Sequence, residues 1–477
     1  MTPIRFILLA SVCFLPTAAN ATEPLQKPNI LFVAIDDLRP ELATYGAKVV
    51  TPNLDQFAQT CVQFDRAYCQ QAVCGASRLS IMGGLYPTRS KEQTYHIKDW
   101  RKRHPKLLTL NQHFSANGYQ TIGLGKIYHG TSGSGVDEKN WSRWIKVSAS
   151  SYALPESKPT DEGLRGPLTE MADVNDQKYA DGKRAQKAAE LLKQLADSKQ
   201  DKPFFLAVGL TKPHLPFVAP KKYWDLYQRD QFKMPSNTGI PEGYPEQAAK
   251  LTAGEMKKYS GYEGEMPTDF SDGLNKRLLH GYAACVSYMD ANLGVVLDAL
   301  QENGLAENTI VVFWGDHGWK LGDHSTWCKH TNFECDARVP LMIRVPDSVA
   351  GKRLQLVELI DLYPTLCDLS GLKTPEHCQG KSMAQLFKDP NAKHRDTAYS
   401  SYPLSRDKIG HSIRMGDFRF TEWFKREDNG KSIGTRVLTN LVSDPGETKN
   451  LVDQAEHSQT VAKAKKLLRQ RIGAVLD

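Results

Sequence analysis

The chain has 477 residues, 40% of them hydrophobic, a formal net charge of +7 and nine cysteines. That is a globular composition without low-complexity tracts or repeats, long enough for about three domains. The basic residues are scattered rather than blocked, and no nucleic-acid-binding motif is present, so a nucleic-acid partner is not expected.

Residues 1–21, MTPIRFILLASVCFLPTAANA, carry one Arg, an apolar core and a small-residue ending at Ala19-Asn20-Ala21. This is the pattern of a secretory signal peptide, too short and wrongly flanked to span a membrane. Cys13 inside it reads as apolar filler, because Val12 is a poor lipoprotein cleavage residue. No later run of eighteen uninterrupted apolar residues occurs, so no membrane span is expected. A periplasmic or secreted location follows, and the single mature sequon, Asn140-Trp141-Ser142, favours a bacterial source. Of the cysteines beyond the leader, Cys61 and Cys285 sit in apolar surroundings and read as core residues. Cys367 and Cys378 would close a short disulfide loop in an exported protein, although connectivity is not legible in sequence.

In chain order, Asn29–Ile35 (NILFVAI) reads as a buried parallel strand ending in Asp36-Asp37. Cys74-Gly75-Ala76-Ser77-Arg78 stands where a helix begins, and its spacing stacks Cys74 and Arg78 on one face. Amides, dipole and guanidinium would then serve one anion site. Thr109–Asn117 reads as a helix and Gln120–Gly123 as a strand, leading to Lys126 and His129. The helix Ala185–Ala196 precedes the strand Phe204–Leu210, which runs into Thr211-Lys212-Pro213-His214. A long helix from about Tyr282 to Asn303 precedes the strand Thr309–Phe313, which empties into Gly315-Asp316-His317. Leu341–Val345 and Leu362–Ser370 add a strand and a helix.

This alternation predicts an α/β fold: a large, mostly parallel sheet sandwiched by helices. Residues 27–388 form its domain, and 389–395 read as a polar linker. Residues 396–477 form a smaller α+β unit with an antiparallel sheet. There His411–Trp423 alternates like a strand that Thr435–Leu441 could pair with, and Glu456–Leu476 is the last helix. The small unit is expected to wall one side of the cleft.

Ligands of such sheets bind beyond the carboxyl ends of the strands. Four strand ends here release polar groups at that edge. Asp36, Asp37 and Asp316 supply hard oxygen ligands for Ca²⁺ or Mg²⁺. Arg78, Lys126, His129, His214 and Lys329 are the cationic or protonatable complement, and together these residues describe a pocket for a tetrahedral oxyanion. Hydrolysis of an unactivated ester of this kind demands a barrier reduction approaching ~20 kcal/mol. One oriented donor contributes about 3–4 kcal/mol, so several groups must act together.

The segments NILFVAIDDLRPELATYG, AYCQQAVCGASRLSIMGG, GLGKIYHG, PFFLAVGLTKPHLPF, VVFWGDHGWKLGDHSTWCKHTNFE and SDPGETKNL resemble the type I sulfatases of the alkaline-phosphatase superfamily. The likeness spans nearly the whole mature chain, and TKPHLPF and GDHGWKLGDH are most similar to the iduronate-2-sulfatase subgroup and its bacterial relatives. The resemblance implies that a maturation enzyme oxidises Cys74 to formylglycine, which hydrates to a diol. It implies one Ca²⁺ held by Asp36, Asp37, Asp316, His317 and the side chain at position 74, with Arg78 steadying that shell. Lys126 and Lys329 would hold sulfate oxygens, His214 would protonate the leaving sugar hydroxyl with help from Lys329, and His129 would assist expulsion of sulfate. Trp319 and His324 are expected along the same cleft, and Arg414 to reach it from the small unit. The implied substrate is a sulfated oligo- or polysaccharide, with a 2-O-sulfated uronic acid as the unit, from a glycosaminoglycan or an algal polysaccharide.

Two departures stand out. Ala76 occupies the third motif position, where aerobic maturation usually meets proline, so the maturation route is open between that and a radical-type enzyme. His317 is an unusual ligand for Ca²⁺. The competing readings are a phosphoester or phosphonate hydrolase of the same superfamily, and a non-catalytic sulfated-glycan-binding protein with an unmodified Cys74.

Overall fold

An unbroken apolar run makes sense only if both faces of its strand are covered, and that is how Asn29–Ile35 sits. The computed structural model describes residues 27–476 apart from 95–96, 98, 131–132, 160–163, 199–201, 250–253 and 428–430. The leader at 1–21 lies outside the described residues. In chain order the strands of the main sheet are β1 (Asn29–Ile35), β2 (Val62–Tyr68), β3 (Gln120–Gly125), β4 (Arg143–Ile145), β5 (Phe204–Leu210), β6 (Thr309–Gly315), β7 (Arg338–Arg344), β8 (Gly351–Arg353) and β9 (Val357–Glu358). Their spatial order is β8-β2-β7-β6-β1-β5-β3-β4, with β9 also paired to β2. Among the described strands of this sheet, only β7 runs antiparallel to its neighbours, β6 and β2. The remaining pairs are parallel.

Alternate residues of β1 feed two cores. Leu31, Val33 and Ile35 join Ala185, Ala188 and Leu192 of the Ala180–Asp197 helix, and Leu278 and Val286 of the Asp272–Glu302 helix. Ile30, Phe32 and Ala34 face Leu79, Leu110, Phe114 and Leu366 on the other side. Burying each such side chain stabilises by roughly 1.5–3 kcal/mol. The Asp272–Glu302 helix is long and apolar enough to cross a membrane, but most of its apolar stretch is buried inside the protein, which marks a core helix.

The smaller sheet is a meander of β10 (Thr397–Pro403), β11 (Lys408–Met415), β12 (Phe418–Lys425) and β13 (Ser432–Asn440), covered by the Ser458–Leu476 helix. The alternating stretch His411–Trp423 is thus two strands of a hairpin, β11 and β12, turning at Gly416-Asp417. Tyr399, Ile413, Phe420, Leu438 and Leu468 share one apolar core with Tyr86 and Ile360 of the preceding part. Asp361 is clamped by Arg395 and His394 (3.1 Å from the imidazole), so the end of the expected linker is fastened down.

One disulfide expectation is corrected. Cys367 and Cys378 are both free thiols; Cys378 Sγ instead packs over Gly84, 2.8 Å from where a Cβ would stand. Cys61 and Cys285 are core residues, as their surroundings suggested.

Candidate functional site

Five parallel strand ends, not four, meet at one edge of the sheet. The fifth is β2, whose mixed sequence VQFDRAY gives no clean pattern; it delivers the chain to the Cys74–Gly83 helix. Cys74 is the first helical residue there, after an extended Val73, and its thiol is buried. Its Sγ lies 3.2 Å from His317 Nε2 and 3.8 Å from Asp37 Oδ1. Two glycines make room beside it. Gly125 of β3 and Gly209 of β5 are register partners, and a Cβ on Gly209 would stand 2.3 Å from the Lys126 backbone. Any larger residue would push Lys126 out of the edge.

Arg78, one turn after Cys74, is fully buried. Its Nε donates to Asp316 at 2.8 Å, and its Nη atoms donate to Asp36 at 3.3 Å and to the Ile127 carbonyl at 3.2 Å. The Lys126 ammonium donates to Asp36. Lys329 donates to both oxygens of Asp37 at 2.8 and 2.9 Å, above the ring of Trp319 at 4.7 Å. It is held between Cys328 and His330, two non-glycine residues in the left-handed region (φ 73° and 96°). Such backbone strain persists where surroundings over-determine it.

His214 Nε2 stands 3.8 Å from Asp36, 3.7 Å from Asp37 and 3.6 Å from Glu255. The loop carrying it is tied by Asp181, which accepts from the Thr211 and Lys212 amides, and by Lys212, which donates to the His214 carbonyl at 2.7 Å. His129 lines the same cavity of about 900 Å³, together with Cys74, Lys126, His214 and Lys329.

Glu255 is the residue that sequence reasoning missed. It sits in the short 3-10 turn Gly254–Lys258 and accepts from Lys329 at 3.0 Å. In GEMKKYSGYEGE it looks like one more solvated loop acid, and no local signal separates it from Glu263 or Glu265. Three expectations are corrected. Arg414 spends its guanidinium on the carbonyls of Gly416 and Phe418, away from the cavity. His324 stacks on Phe333 at 4.0 Å and faces a separate hollow with Asp323, Glu334 and Glu447. Among the described residues the small sheet provides no lining of the cavity, whose walls come from Lys146–Ser151, Arg165 and Gly254–Lys258. Trp319, also expected along the cleft, is fully buried beneath the Lys329 ammonium and stands behind the cavity lining.

Charge decides what else belongs here. Four buried or nearly buried carboxylates, Asp36, Asp37, Asp316 and Glu255, face three permanent cations, Arg78, Lys126 and Lys329. One negative charge is left over before either imidazole is counted. Burial pushes Asp37 up to about 7, against the pull of His214 and Lys329 and with Cys74 and Asp36 adding to the rise. Asp36 goes the other way: burial would raise it, but Lys126, His214 and Arg78 hold it well below the usual carboxylate range. Burial disfavours a charged His317, yet Asp316, Cys74 and Asp37 raise it to about 10. An excess of buried carboxylate that must recruit protons is a place for a divalent cation. The donor atoms fit: those of Asp36, Asp37, Cys74 and His214 lie within 4.8 Å of one another, and so do those of Cys74, Asp316 and His317. Burial, with Lys126 adding, holds His129 down to about 4, so it is neutral at neutral pH.

Comparison with known proteins agrees with this geometry. The family model described as Sulfatase matches residues 28–372, and one described as N-sulphoglucosamine sulphohydrolase, C-terminal, matches residues 322–473. The chain is 32% identical to iduronate 2-sulfatase of Mus musculus, covering 94% of this chain and 96% of the relative. A solved structure described as a complex with its substrate D-glucosamine-2-N,6-O-disulfate superposes with a TM-score of 0.74 at 21% identity, covering 94% of this chain and 98% of the other. The phosphonate monoester hydrolase of Agrobacterium radiobacter superposes with a TM-score of 0.75 at 20% identity, covering 94% and 96%.

Proposed function

The chain belongs to the sulfatase family, and from that premise we propose that this sulfuric ester hydrolase of sulfated sugars removes the 2-O-sulfate of a uronic acid through a formylglycine made from Cys74. The observation carrying the mechanism is the placement of Cys74 Sγ at a helix start, 3.2 Å from His317, with Arg78 one turn behind it. The uronate assignment rests on the 32% identity to a protein named for iduronate 2-sulfate.

Asp36, Asp37, Asp316, His317 and the side chain at position 74 would hold one Ca²⁺, which supplies positive charge to a sulfate oxygen. A formylglycine at position 74 supplies, once hydrated, an oxygen nucleophile for sulfur. The remaining work belongs to the chain. Arg78 locks Asp36 and Asp316 in place. Lys126 and Lys329 present ammonium groups to the sulfate as its charge shifts, in a site shielded from water. His214 reaches toward the bridging oxygen and gives the leaving hydroxyl its proton, and the neutral His129 accepts the proton released when sulfate departs. Glu255 holds Lys329 and His214 at their working distance. Replacing it with Gln should lower kcat about 10–100-fold, the range for removing a group that orients others, with a smaller change in KM and partial recovery in Glu255→Asp.

Incubation with defined sulfated disaccharides tests the reading by release of inorganic sulfate, and mass spectrometry of the Cys74 peptide reports its oxidation. Absence of both refutes it. The phosphonate-hydrolase fold makes a second ester class worth comparing: turnover of an aryl phosphate faster than its paired aryl sulfate would favour that alternative. Chelation should lower both activity and Tm, and Ca²⁺ should restore them. At an ion concentration 100-fold above its dissociation constant the stabilisation is about 2.7 kcal/mol. Export to the periplasm or medium, on the strength of residues 1–21, completes the reading and is checked by the N-terminus of the mature protein.

A further inference from the structure

Two cations at the mouth of the cavity have no part in the chemistry above. Arg165 and Lys258 line it from two different loops, and those loops are zipped together by backbone. The Arg165 amide donates to the Lys258 carbonyl at 2.9 Å, the Ser260 amide to Gly166 at 2.8 Å and the Leu168 amide to Ser260 at 3.2 Å. Pro167 and Ser260 form a parallel bridge. The Arg165 guanidinium is braced over Tyr259, 6.0 Å from the ring centre. Both side chains are exposed. Lys146, the third cation of the mouth, is paired to Glu138 at 3.1 Å, whereas Arg165 and Lys258 have no carboxylate partner among the described residues. The acids that line the cavity are already engaged. Asp181 is held by Arg184 and two amides, and Glu255 by Lys329.

The turn Gly254–Lys258 sets the spacing. It is a 3-10 helix, in which residues three apart eclipse along the axis, one turn or roughly 6 Å apart. Glu255 and Lys258 are such a pair. Glu255 contacts Lys329 and His214 at the floor, and Lys258 lines the same cavity one turn further along the chain, about the span of a single monosaccharide unit. Arg165 and Lys258 both line one cavity, and like charges facing one cavity repel unless an anion lies between them.

We propose that Arg165 and Lys258 form an anion subsite that receives a second acidic group of the substrate, a carboxylate or neighbouring sulfate on the sugar whose ester lies at Cys74 or on the next unit. This rests on the sulfated-sugar reading of the catalytic centre and adds to it a selection for doubly anionic saccharides over simple sulfate esters. Exposed cations act on capture and are screened by salt, so the preference weakens at high ionic strength.

The test compares a disaccharide carrying one sulfate and one carboxylate with an aryl sulfate, which has a single anionic group. In Arg165→Ala/Lys258→Ala the ratio of kcat/KM for disaccharide over aryl ester should fall about tenfold, and Arg165→Lys/Lys258→Arg should restore most of it. An unchanged ratio overturns the subsite. Calorimetric binding of the same disaccharide to Cys74→Ala, with and without the two further alanines at 165 and 258, decides the matter without turnover. About tenfold weaker binding supports the subsite and equal binding overturns it. Failure of the wild-type enzyme on both esters would refute the sulfatase mechanism alone, since the binding comparison still reports on Arg165 and Lys258.

Discussion

Replacing Cys74 with alanine should abolish sulfate release, by a factor on the order of 10⁶ when the nucleophile of a concerted site is removed. The thiol lies among Asp37, His317, Arg78, Lys126 and Lys329, so its loss takes away the source of the proposed nucleophile while leaving the cations proposed to hold sulfate. Substrate affinity should therefore change far less than kcat, and isothermal titration of the alanine variant with the disaccharide separates the two. The side chain is small and alanine suits a helix start, so folding should be intact by circular dichroism. A variant that still releases sulfate at a tenth of the wild-type rate would remove Cys74 from the mechanism. If Cys74 acted as an unmodified thiol in a glycan-binding protein, the peptide would keep the mass of cysteine and the wild-type enzyme would show no turnover.

Arg78→Met should damage stability as well as activity. The guanidinium is fully buried and is the shared partner of Asp36 and Asp316, besides the carbonyls of Lys126 and Ile127. Methionine fills part of the volume but strips Asp316 of its guanidinium and leaves Asp36 to Lys126, in an interior where burial already works against the charge of Asp36. Breaking a buried pair by removing one partner costs about 3–5 kcal/mol. The expected result is a clear drop in Tm and in the guanidinium midpoint, together with loss of turnover. Arg78→Lys should recover little, since an ammonium cannot serve both carboxylates and the carbonyls with one planar fork. An Arg78→Met protein as stable as the wild type would mean that these carboxylates are neutralised by something other than Arg78.

The two experiments differ in what they ask of the fold. Cys74 is delivered by the end of β2 and Arg78 by the helix that follows, so a change at 74 reads chemistry while a change at 78 also reads the integrity of the sheet edge. Glu255 lies on neither. It arrives on a turn anchored by the buried Met256 and Tyr259 and by the backbone ladder to Arg165, besides its own contacts to Lys329 and His214, and a substitution that leaves those apolar and backbone anchors in place should leave Tm nearly unmoved.

Local composition was enough to determine β1, β5 and β6, because an unbroken apolar strand has no stable alternative to burial on both faces. It also determined which residues stand at their carboxyl ends: Asp36, Asp37, His214, Asp316 and His317 follow those strands within a few positions. The Cys74–Arg78 spacing was legible for the same reason, since one helical turn is a local property. What only the tertiary structure decided depends on contacts between distant segments. β2 is recognisable as a site strand only through its pairing with β7. Arg414 and His324 carry suitable chemistry but point to their own neighbours, and the small sheet joins the core at Tyr86 and Ile360 instead of walling the cavity. Glu255, Arg165 and Lys258 are ordinary loop charges in sequence. Chain geometry at the mouth brings them together, and a charge has no local periodicity to reveal which partner it will meet.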